Sequence, residues 1–450
     1  MMLPGRQMAT CGSTQTARVV GRLSRLVFLV TIVGAVTGVL PDRGARGEDW
    51  PQFHGPHRDN ICTETGLLQE WPEGGPKLLW TLEGLGRGYS TVSIAQGRLY
   101  TMGDRPTEGG EAQFVLAFDL ATRKELWATR IGPPHRDGGP RCTPTVDGDR
   151  VYAIGTDGDL ACLDAVTGRV LWSKNFARDF GGKMMSIWRY SESPLVDGEK
   201  LVCTPGGKDA LLVALDKKTG ETIWRCQPGD LGPSGADGAG YASIMPAEIH
   251  GVRQYITLVG RGAVGVDAAT GRLLWHYNRI ANRVANISNP VIRGEYVFVS
   301  TAYRTGCALL RIKRDGKTWS AEEVYFHDAN TFSNHHGGMV LVGDYLYAGD
   351  GQNRGAPICI EFLTGKVMWK EQPVDRGSAA VLYADNRLYF RYEGGTVALI
   401  APDPQQFRLI SQFRPAVVDG PAWPHPVICD GKLYLRAHTV LMCYDIKNKP

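Results

Sequence analysis

The chain lacks the sequence motifs of several common enzyme classes. It contains no G-x-S-x-G elbow, no H-E-x-x-H zinc motif, no complete G-x-x-x-x-G-K-[ST] phosphate loop and no EF-hand loop. These absences weigh against hydrolase and nucleotide-dependent functions. They do not exclude an enzyme whose chemistry is supplied by a bound cofactor.

Excess charge of either sign is also missing once the first 47 residues are set aside. The whole chain has 50 basic and 46 acidic residues, but residues 1–47 hold six of the arginines and only one acidic residue, Asp42. The remainder is therefore close to neutral and has no basic stripe of the kind that nucleic-acid binding requires. We expect no nucleic-acid partner.

Long hydrophobic runs are confined to one place. Residues 26–40 are apolar or small, three arginines precede them, and Ala45 and Gly47 supply the small residues of a cleavage site. The run of about 15 residues is shorter than the ~20 of a membrane-spanning helix. We predict a signal peptide over 1–47, with a retained signal-anchor as the alternative. The mature chain would then lack a transmembrane segment and reside in the periplasm or cell envelope, or be secreted.

Cysteine motifs are absent although the chain has ten cysteines. There is no C-x-x-C, no vicinal pair and no Cys/His zinc spacing. Cys162, Cys359 and Cys443 occupy a repeated position at which other copies have alanine or glycine. Free cysteine serves as a small buried hydrophobe. We expect these three to pack in the core rather than to act in catalysis or metal binding.

What the chain does contain is a repeat of the form D/E-x-x-T-G-x-x-x-W. Its copies lie at 118–127, 163–172, 215–224, 266–275 and 360–369, and Arg123 replaces the glycine in the first. Successive tryptophans from Trp127 to Trp275 are 45–52 residues apart, a period typical of propellers, solenoids or arrays. We assign structural roles to Asp164, Thr167, Gly168, Trp172, Asp216, Thr219, Gly220, Trp224, Asp267, Thr270, Gly271, Trp275, Thr364, Gly365 and Trp369.

The roles follow from residue chemistry. The acidic residue and threonine can hydrogen-bond the backbone of a turn, and glycine supplies the positive φ of a tight hairpin. The tryptophan can bury a large ring against a neighbouring unit. The fingerprint G-x-G-x-x-G at 260–265 precedes one copy, but a strand rather than a helix follows it. A nucleotide site is therefore disfavoured.

A second repeat predicts the number of units. Short alternating strands between turn residues begin near positions 97, 149, 199, 253, 295, 344, 386 and 431, and no amphipathic helix is evident after residue 47. Alternation with period two indicates strands. Eight four-stranded antiparallel sheets can bury their faces only by packing around an axis. We predict an all-β, eight-bladed propeller over 75–450 and an N-terminal extension over 48–74 that packs on it. The strand of Trp80 would complete the C-terminal blade.

The repeat resembles that of the pyrroloquinoline-quinone (PQQ) propellers. The segments 49–80, 190–198 and 334–347 further resemble exported propellers of planctomycete-type bacteria, often labelled polyvinyl-alcohol dehydrogenase-like. The resemblance implies either a quinoprotein alcohol dehydrogenase with PQQ and calcium on its axis, or a non-catalytic scaffold like that of outer-membrane-protein assembly. The chain departs from both groups, because it has neither the vicinal cysteine pair of the dehydrogenases nor the lipid-attachment cysteine of the scaffold.

Propeller geometry places a ligand site where the loops that lead into the innermost strands converge. Concave mouths with aromatic walls and a few polar groups are the usual ligand sites. The cofactor-binding candidates in these loops are Trp188, Arg189, Tyr190, His335, Trp423 and His425. Trp188 and Trp423 could stack a quinone or simply plug the channel. The loops 175–190 and 226–241 are long enough to cover the mouth partly, or they are ordinary variable loops.

Glu192 and Asn286 are the candidates for calcium, whose preferred ligands are oxygens. Pairing of Glu192 with Arg141 or Arg189 is the favoured alternative. His54 and His57, in a Pro/Gly-rich turn, are expected to pack at the surface.

Two functions remain open at the level of sequence. The favoured one is an exported binding or scaffold propeller for a protein, glycan or small-molecule ligand, without an assigned cofactor. The alternative is a PQQ- and calcium-dependent alcohol dehydrogenase, with catalytic residues unassigned.

Overall fold

Short antiparallel strands joined by tight turns make up almost all of the structure. It is a computed structural model that describes residues 48–448, so the predicted signal peptide over 1–47 lies outside the described residues. Two strands precede the first complete blade, namely β1 (Ile61–Cys62) and β2 (Lys77–Leu82). No helix in 48–448 is long and apolar enough to cross a membrane.

The first four blades each contain four strands in antiparallel order. Blade one comprises β3 (Ser93–Ala95), β4 (Arg98–Thr107), β5 (Gly110–Asp119) and β6 (Glu125–Gly132). Blade two comprises β7 (Thr145–Asp147), β8 (Arg150–Ile154), β9 (Asp159–Asp164) and β10 (Val170–Asn175). Blade three comprises β11 (Leu195–Asp197), β12 (Lys200–Cys203), β13 (Val213–Asp216) and β14 (Thr222–Arg225). Blade four comprises β15 (Met245–Ile249), β16 (Val252–Val259), β17 (Gly262–Asp267) and β18 (Leu273–Tyr277).

The remaining four blades repeat this arrangement. Blade five comprises β19 (Val291–Arg293), β20 (Tyr296–Thr301), β21 (Gly306–Asp315) and β22 (Thr318–Asp328). Blade six comprises β23 (Met339–Val342), β24 (Tyr345–Asp350), β25 (Ala356–Glu361) and β26 (Val367–Lys370). Blade seven comprises β27 (Ala379–Ala384), β28 (Arg387–Tyr392), β29 (Val397–Ile400) and β30 (Leu409–Phe413). Blade eight comprises β31 (Val427–Cys429), β32 (Lys432–Ala437) and β33 (Val440–Asp445).

The ring closes as the sequence predicts. Strand β2, from the N-terminal side, pairs antiparallel with β33 and forms the outermost strand of blade eight, with Trp80 opposite Cys443. Blade seven gains a fifth strand, because β1 pairs parallel with β27. The predicted all-β, eight-bladed propeller is thereby confirmed.

Within residues 48–448, one short helix interrupts the all-β pattern. Helix α1 (Phe176–Phe180) begins after Asn175, whose Oδ1 accepts a hydrogen bond from the backbone N–H of Arg178. It ends at Gly181, which has a φ of 60° in the left-handed region. At five residues it is too short to show helical periodicity in the sequence.

The turn of the repeat is built as the residue chemistry predicts. In blade two, Asp164 Oδ1 accepts hydrogen bonds from the backbone N–H of Thr167 at 2.8 Å and from its hydroxyl at 2.9 Å. These bonds lower the pKa of Asp164. The following residue, Gly168, has a φ of 72°. The same bonds to threonine recur at Asp119 and Asp216.

The glycine of the turn has a second role, which joins neighbouring blades. A Cβ on Gly220 would lie 2.7 Å from the ring of Trp172 in the preceding blade, and one on Gly271 would lie 2.6 Å from the ring of Trp224. Each tryptophan also donates its indole N–H to the next blade: Trp172 to the carbonyl of Lys217 at 3.1 Å, and Trp224 to that of Ala268 at 3.2 Å. The repeat therefore encodes the contact between blades as well as the turn within each blade.

Blade five keeps this contact without the tryptophan. Its outer strand β22 has Tyr325 instead, whose hydroxyl donates to the carbonyl of Phe362 in blade six at 2.8 Å. A Cβ on Gly365 would lie 2.8 Å from that tyrosine ring. An aromatic ring over a glycine, with one hydrogen bond to the neighbouring blade, is the physical element that these interfaces share. Blade four departs from it, because Trp275 donates to Gln254 of its own blade and, among residues 48–448, nothing lies within 4 Å of a Cβ on Gly316.

The N-terminal segment passes through the centre of the propeller. Trp50 bridges to Ile94 of blade one, and the carbonyl of Pro51 accepts from Val146 of blade two. Farther along, Arg58 donates to the carbonyl of Ser193 in blade three at 2.7 Å, and the carbonyl of Asn60 accepts from blade seven. Contacts on several sides of the ring place residues 53–60 on its axis, where they fill the channel. We call this segment the plug.

The cysteines pack in the core. All nine in the described residues are buried and free. Cys162, Cys359 and Cys443 are each fully buried opposite the aromatic residue of their blade's outer strand. Burial raises the pKa of each of these thiols to about 12, so they remain protonated at neutral pH. The predicted core role of these three residues is confirmed.

Gly220→Ala should destabilise the protein by about 2–4 kcal/mol, because a side chain at a φ of +75° is strained and the new methyl group would displace the Trp172 ring. Gly198→Ala is the matched control, since its φ is +60° but nothing lies within 4 Å of the added Cβ. We expect the control to cost about 1–2 kcal/mol. Urea unfolding of both variants measures the difference, and equal losses would show that the ring contact does not join the blades.

Candidate functional site

The mouth of the propeller holds a cavity that opens to solvent. Loops leading into the innermost strands line it, as expected for convergence at one face. The residues that contribute are Phe53, His54, Tyr89, Arg141, Trp188, Ser191, Tyr241, Ser243, Ala285, Ile287, Ser288, Asn289, Tyr303, His335, His336, Gly338, Trp423, Pro424 and His425.

Aromatic rings form the walls of the mouth. On one side the rings of Tyr89 and Trp423 lie 4.5 Å apart between centroids. On the other side Trp188 and Tyr303 lie nearly parallel, with centroids 6.4 Å apart and planes inclined by 26°. Tyr241 packs edge-on against Trp188. The walls therefore present large, flat, apolar faces to a ligand in the mouth.

The plug provides the floor. The rings of Phe53 and His54 stack with centroids 3.7 Å apart. His54 Nε2 lies 3.2 Å from Nδ1 of His425, and His425 Nε2 bonds the carbonyl of His336 at 3.0 Å. The expectation that His54 packs at the surface is wrong, because its side chain is buried on the axis. A histidine from a polar turn can be buried in this way when its imidazole is hydrogen-bonded, as that of His54 is to His425.

Tyr303 is held by a chain of hydrogen bonds. Its hydroxyl lies 2.9 Å from His335 Nε2, and His335 Nδ1 lies 2.8 Å from the hydroxyl of Ser378. Burial lowers the pKa of His335 to about 4 and raises the pKa of Tyr303. Both groups are therefore neutral at physiological pH, and the hydrogen-bonded chain orients the Tyr303 ring.

The mouth carries little charge. Burial lowers the pKa of His425 to about 4 and holds the pKa values of His54 and His336 well below the usual range, with neighbouring positive groups adding to the effect. The residues that line the mouth include no aspartate or glutamate. Arg141 is their one arginine, and it pairs with Asp137 at 3.2 Å.

Four of the six cofactor-binding candidates lie in the mouth, namely Trp188, His335, Trp423 and His425. The other two turn away. Arg189 pairs with Asp157 at 3.2 Å, and Tyr190 is buried with its hydroxyl donating to the carbonyl of Pro205 at 2.8 Å. Trp188 lies in a turn and Arg189 follows it with a φ of 65°, so the chain changes direction between the two side chains.

The two calcium candidates, Glu192 and Asn286, are not in the mouth lining. Glu192 Oε2 accepts from the backbone N–H of Thr204 at 2.9 Å, and its Oε1 has no partner in the part of the chain that the structure describes. The Asn286 amide donates to the carbonyls of Val259 and Gly260. Arg58, rather than Arg141 or Arg189, is the cation whose charge acts on Glu192.

Two features of the mouth escaped the sequence analysis. Tyr303 lies in the turn between β20 and β21, where it and Arg304 have φ values of 56° and 66°. The sequence feature that could have identified Tyr303 is its place in a two-residue turn, where glycine or asparagine is usual. The plug residue Phe53 carried no comparable signal, because nothing in a sequence shows that a segment preceding the repeats will thread the axis.

The long loops border the mouth rather than close over it. The loop 175–190 places Trp188 in the wall and leaves Ile187 on the rim with 78% of its surface exposed. The loop 226–241 contributes Tyr241, while residues 228–232 line a separate cleft with Lys208 and Arg261. Both loops shape the site, but neither covers it in this conformation.

The donor set does not fit a calcium-bound PQQ. PQQ carries three carboxylates, which need positively charged partners. Its calcium ion takes six to eight oxygen ligands, commonly carboxylates. The mouth offers one arginine, already paired, and no carboxylate. Within residues 48–448 no group of three or more His, Cys, Asp or Glu side chains could hold a metal ion. We therefore derive no catalytic step through this cofactor.

The fold and the repeat turns define an eight-bladed propeller of the PQQ-repeat class. The family model described as "Outer membrane protein assembly factor BamB" matches residues 111–371. The chain belongs to this family, since the match covers more than half of its length.

Individual relatives match over shorter stretches. The outer membrane protein assembly factor BamB of Kangiella koreensis is 28% identical over 200 residues, which cover 42% of this chain and 44% of the relative. A quinohemoprotein alcohol dehydrogenase of Pseudomonas putida is 32% identical over 128 residues, covering 26% and 18%. The chain thus spans less than half of the length of either relative.

Solved structures share the fold. BamB from Moraxella catarrhalis superimposes with a TM-score of 0.59 at 13% identity, covering 82% of this chain and 99% of that one. The quinohemoprotein alcohol dehydrogenase from Comamonas testosteroni gives a TM-score of 0.61 at 14% identity, covering 89% and 81%. At these identities the likeness establishes the architecture alone.

Glu192→Gln should flatten the pH dependence of stability between about pH 4.5 and 8. Burial raises the pKa of Glu192 from 4.5 to about 8, against the opposing effects of the Thr204 N–H and of Arg58. In this window the unfolded chain has released the proton and the folded chain keeps it, so rising pH destabilises the wild type but not the variant.

Urea unfolding at pH 5 and pH 8 measures the effect. The wild type should lose more stability between the two pH values than the variant, by at most roughly 4 kcal/mol. Glu248→Gln, the same change at an exposed position, should behave as the wild type. Equal losses in the wild type and Glu192→Gln would mean that Glu192 is ionised in the folded protein.

Proposed function

We propose that this protein is a binding module of the cell envelope that holds its ligand in the axial mouth. The observation that carries the proposal is the mouth itself, an open cavity with aromatic walls and a closed floor. Sites of this kind, mostly apolar with a few oriented polar groups, are typical of ligand binding. The neutral histidines and the hydrogen-bonded Tyr303 fix the orientation of the walls.

Export to the envelope rests on two supports. The sequence predicts a signal peptide over 1–47, and the family carries the description of an outer-membrane assembly factor. A scaffold role in the assembly of other proteins would follow if the loop face bound a protein partner, as the name of the family implies for its members.

A PQQ-dependent alcohol dehydrogenase is the second candidate function, favoured by the 32% identity to a quinohemoprotein alcohol dehydrogenase over 128 residues. The lack of carboxylates in the mouth weighs against it.

Titration of the protein with PQQ and calcium should show no saturable, calcium-dependent binding. Saturable binding together with dye-linked oxidation of an alcohol would replace our proposal with the dehydrogenase.

Ligand engagement should protect Trp188 from oxidation by hydroxyl radicals. Trp188 is half-buried in the mouth wall, whereas Trp319 is half-buried on the β21–β22 hairpin and contacts His250 and Arg314. Footprinting with and without envelope extract of the source organism, read by mass spectrometry, gives the ratio of the two oxidation rates. We expect that ratio to fall when the extract is present, with Trp319 as the internal control.

An unchanged ratio would contradict a ligand in the mouth. Protection of Trp319 alone would place the binding surface on the blade-five hairpin instead.

A further inference from the structure

The mouth combines flat apolar faces with uncharged polar groups at their edges. Trp188, Tyr303, Tyr89 and Trp423 supply the faces. Trp423 and Tyr89 also carry an N–H and an O–H at the ring edge, and Ser191 adds a hydroxyl to the lining. A ligand that matches this surface needs an apolar face and a polar, uncharged periphery.

We propose that the ligand of the mouth is a neutral saccharide, an inference that rests on the proposed binding function. A pyranose ring presents C–H groups on one face and hydroxyls around its edge. The C–H face can pack on an indole or phenol ring, which is a large apolar surface with a partly negative π face. Each hydroxyl both donates and accepts hydrogen bonds.

Unpaired polar atoms beside the mouth favour this ligand over a hydrocarbon or a phenylalanine side chain. Trp423 Nε1 and His336 Nε2 are buried and have no hydrogen-bond partner among residues 48–448, and both side chains belong to the lining. Leaving such groups unpaired costs about 1–3 kcal/mol each. A polyhydroxylated ligand can satisfy a donor and an acceptor after a small rotation of these rings, whereas a hydrocarbon surface satisfies neither.

Charge favours a neutral sugar over an acidic one. Arg141 already bonds the carbonyl oxygen and carboxylate of Asp137, and its guanidinium lies 5.7 Å from the centroid of Tyr89. The histidines of the lining are neutral at physiological pH for the reasons given above. No unpaired cation therefore remains in the lining to receive a carboxylate or sulfate.

Tyr303 offers a way to separate binding from folding. Its backbone is in the left-handed region, in a turn closed by a hydrogen bond from the N–H of Thr305 to the carbonyl of Ala302. Asparagine suits this turn better than tyrosine. Tyr303→Asn should therefore leave the fold intact while removing one wall of the mouth and its parallel contact with Trp188.

Isothermal titration calorimetry of the full chain tests the proposal with defined probes. These are cellotetraose, xylotetraose, mannotetraose and chitotetraose as neutral saccharides, tetragalacturonate as an acidic one, and a phenylalanine-containing tetrapeptide. We expect saturable binding of at least one neutral tetrasaccharide. Trp188→Ala and Tyr303→Asn should each weaken it about tenfold or more, the effect of losing ~1.4 kcal/mol. Trp188→Phe should restore part of the affinity, and Trp319→Ala should change nothing.

The outcomes separate the saccharide proposal from the proposed binding function. Binding of the tetrapeptide alone, lost in Trp188→Ala, would overturn the saccharide and keep the mouth as a binding site. Binding of tetragalacturonate alone would overturn the neutral class. If a saccharide bound with equal affinity to Trp188→Ala and the wild type, the mouth would not be its site. If none of the probes bound, the saccharide proposal would be rejected, while protection of Trp188 in the footprinting experiment would still decide the proposed function.

Discussion

The packing of neighbouring blades depends on one repeated contact, an aromatic ring of one blade on the turn glycine of the next, which joins blades one to four in order and blade five to blade six. A blade alone leaves both faces of its sheet exposed, and its outer strand buries little. In blade three, for example, only Trp224 of β14 is buried. That ring covers Gly271 and donates to Ala268, so the same few atoms join blades and satisfy an indole N–H. This contact joins blades one to four in order and blade five to blade six, and the β2–β33 pairing closes the ring.

The mouth depends on a different element, the N-terminal segment on the axis. Without it, the mouth would continue as a channel through the propeller. Phe53 and His54 close it from below, while Arg58 fixes the segment to blade three through its bonds to the carbonyls of Ser193 and Pro194. The second, opposite cavity, which His57 and Arg58 line, is thereby separated from the mouth. A segment outside the repeats thus converts a general scaffold into a particular pocket.

Much of the fold could be predicted from the sequence because its signals are local and repeated. The turn chemistry of Asp164, Thr167 and Gly168 and the ring closure by Trp80 follow directly from residue type and order. The site could be predicted only in part. Trp188, His335, Trp423 and His425 were found from where propeller loops converge, whereas Tyr303 and the plug depend on contacts between distant parts of the chain. The helix at Phe176–Phe180 was missed because one turn of helix leaves no periodic pattern.

The most direct measurement is an experimental structure of the protein purified from the envelope of its own organism, without added ligand. Our account predicts eight blades with the N-terminal segment on the axis, and any co-purified ligand lying against Trp188 and Tyr303 in the mouth. Density for a quinone with a coordinated cation would contradict it. An N-terminal segment that lies off the axis and leaves the channel open would contradict it as well.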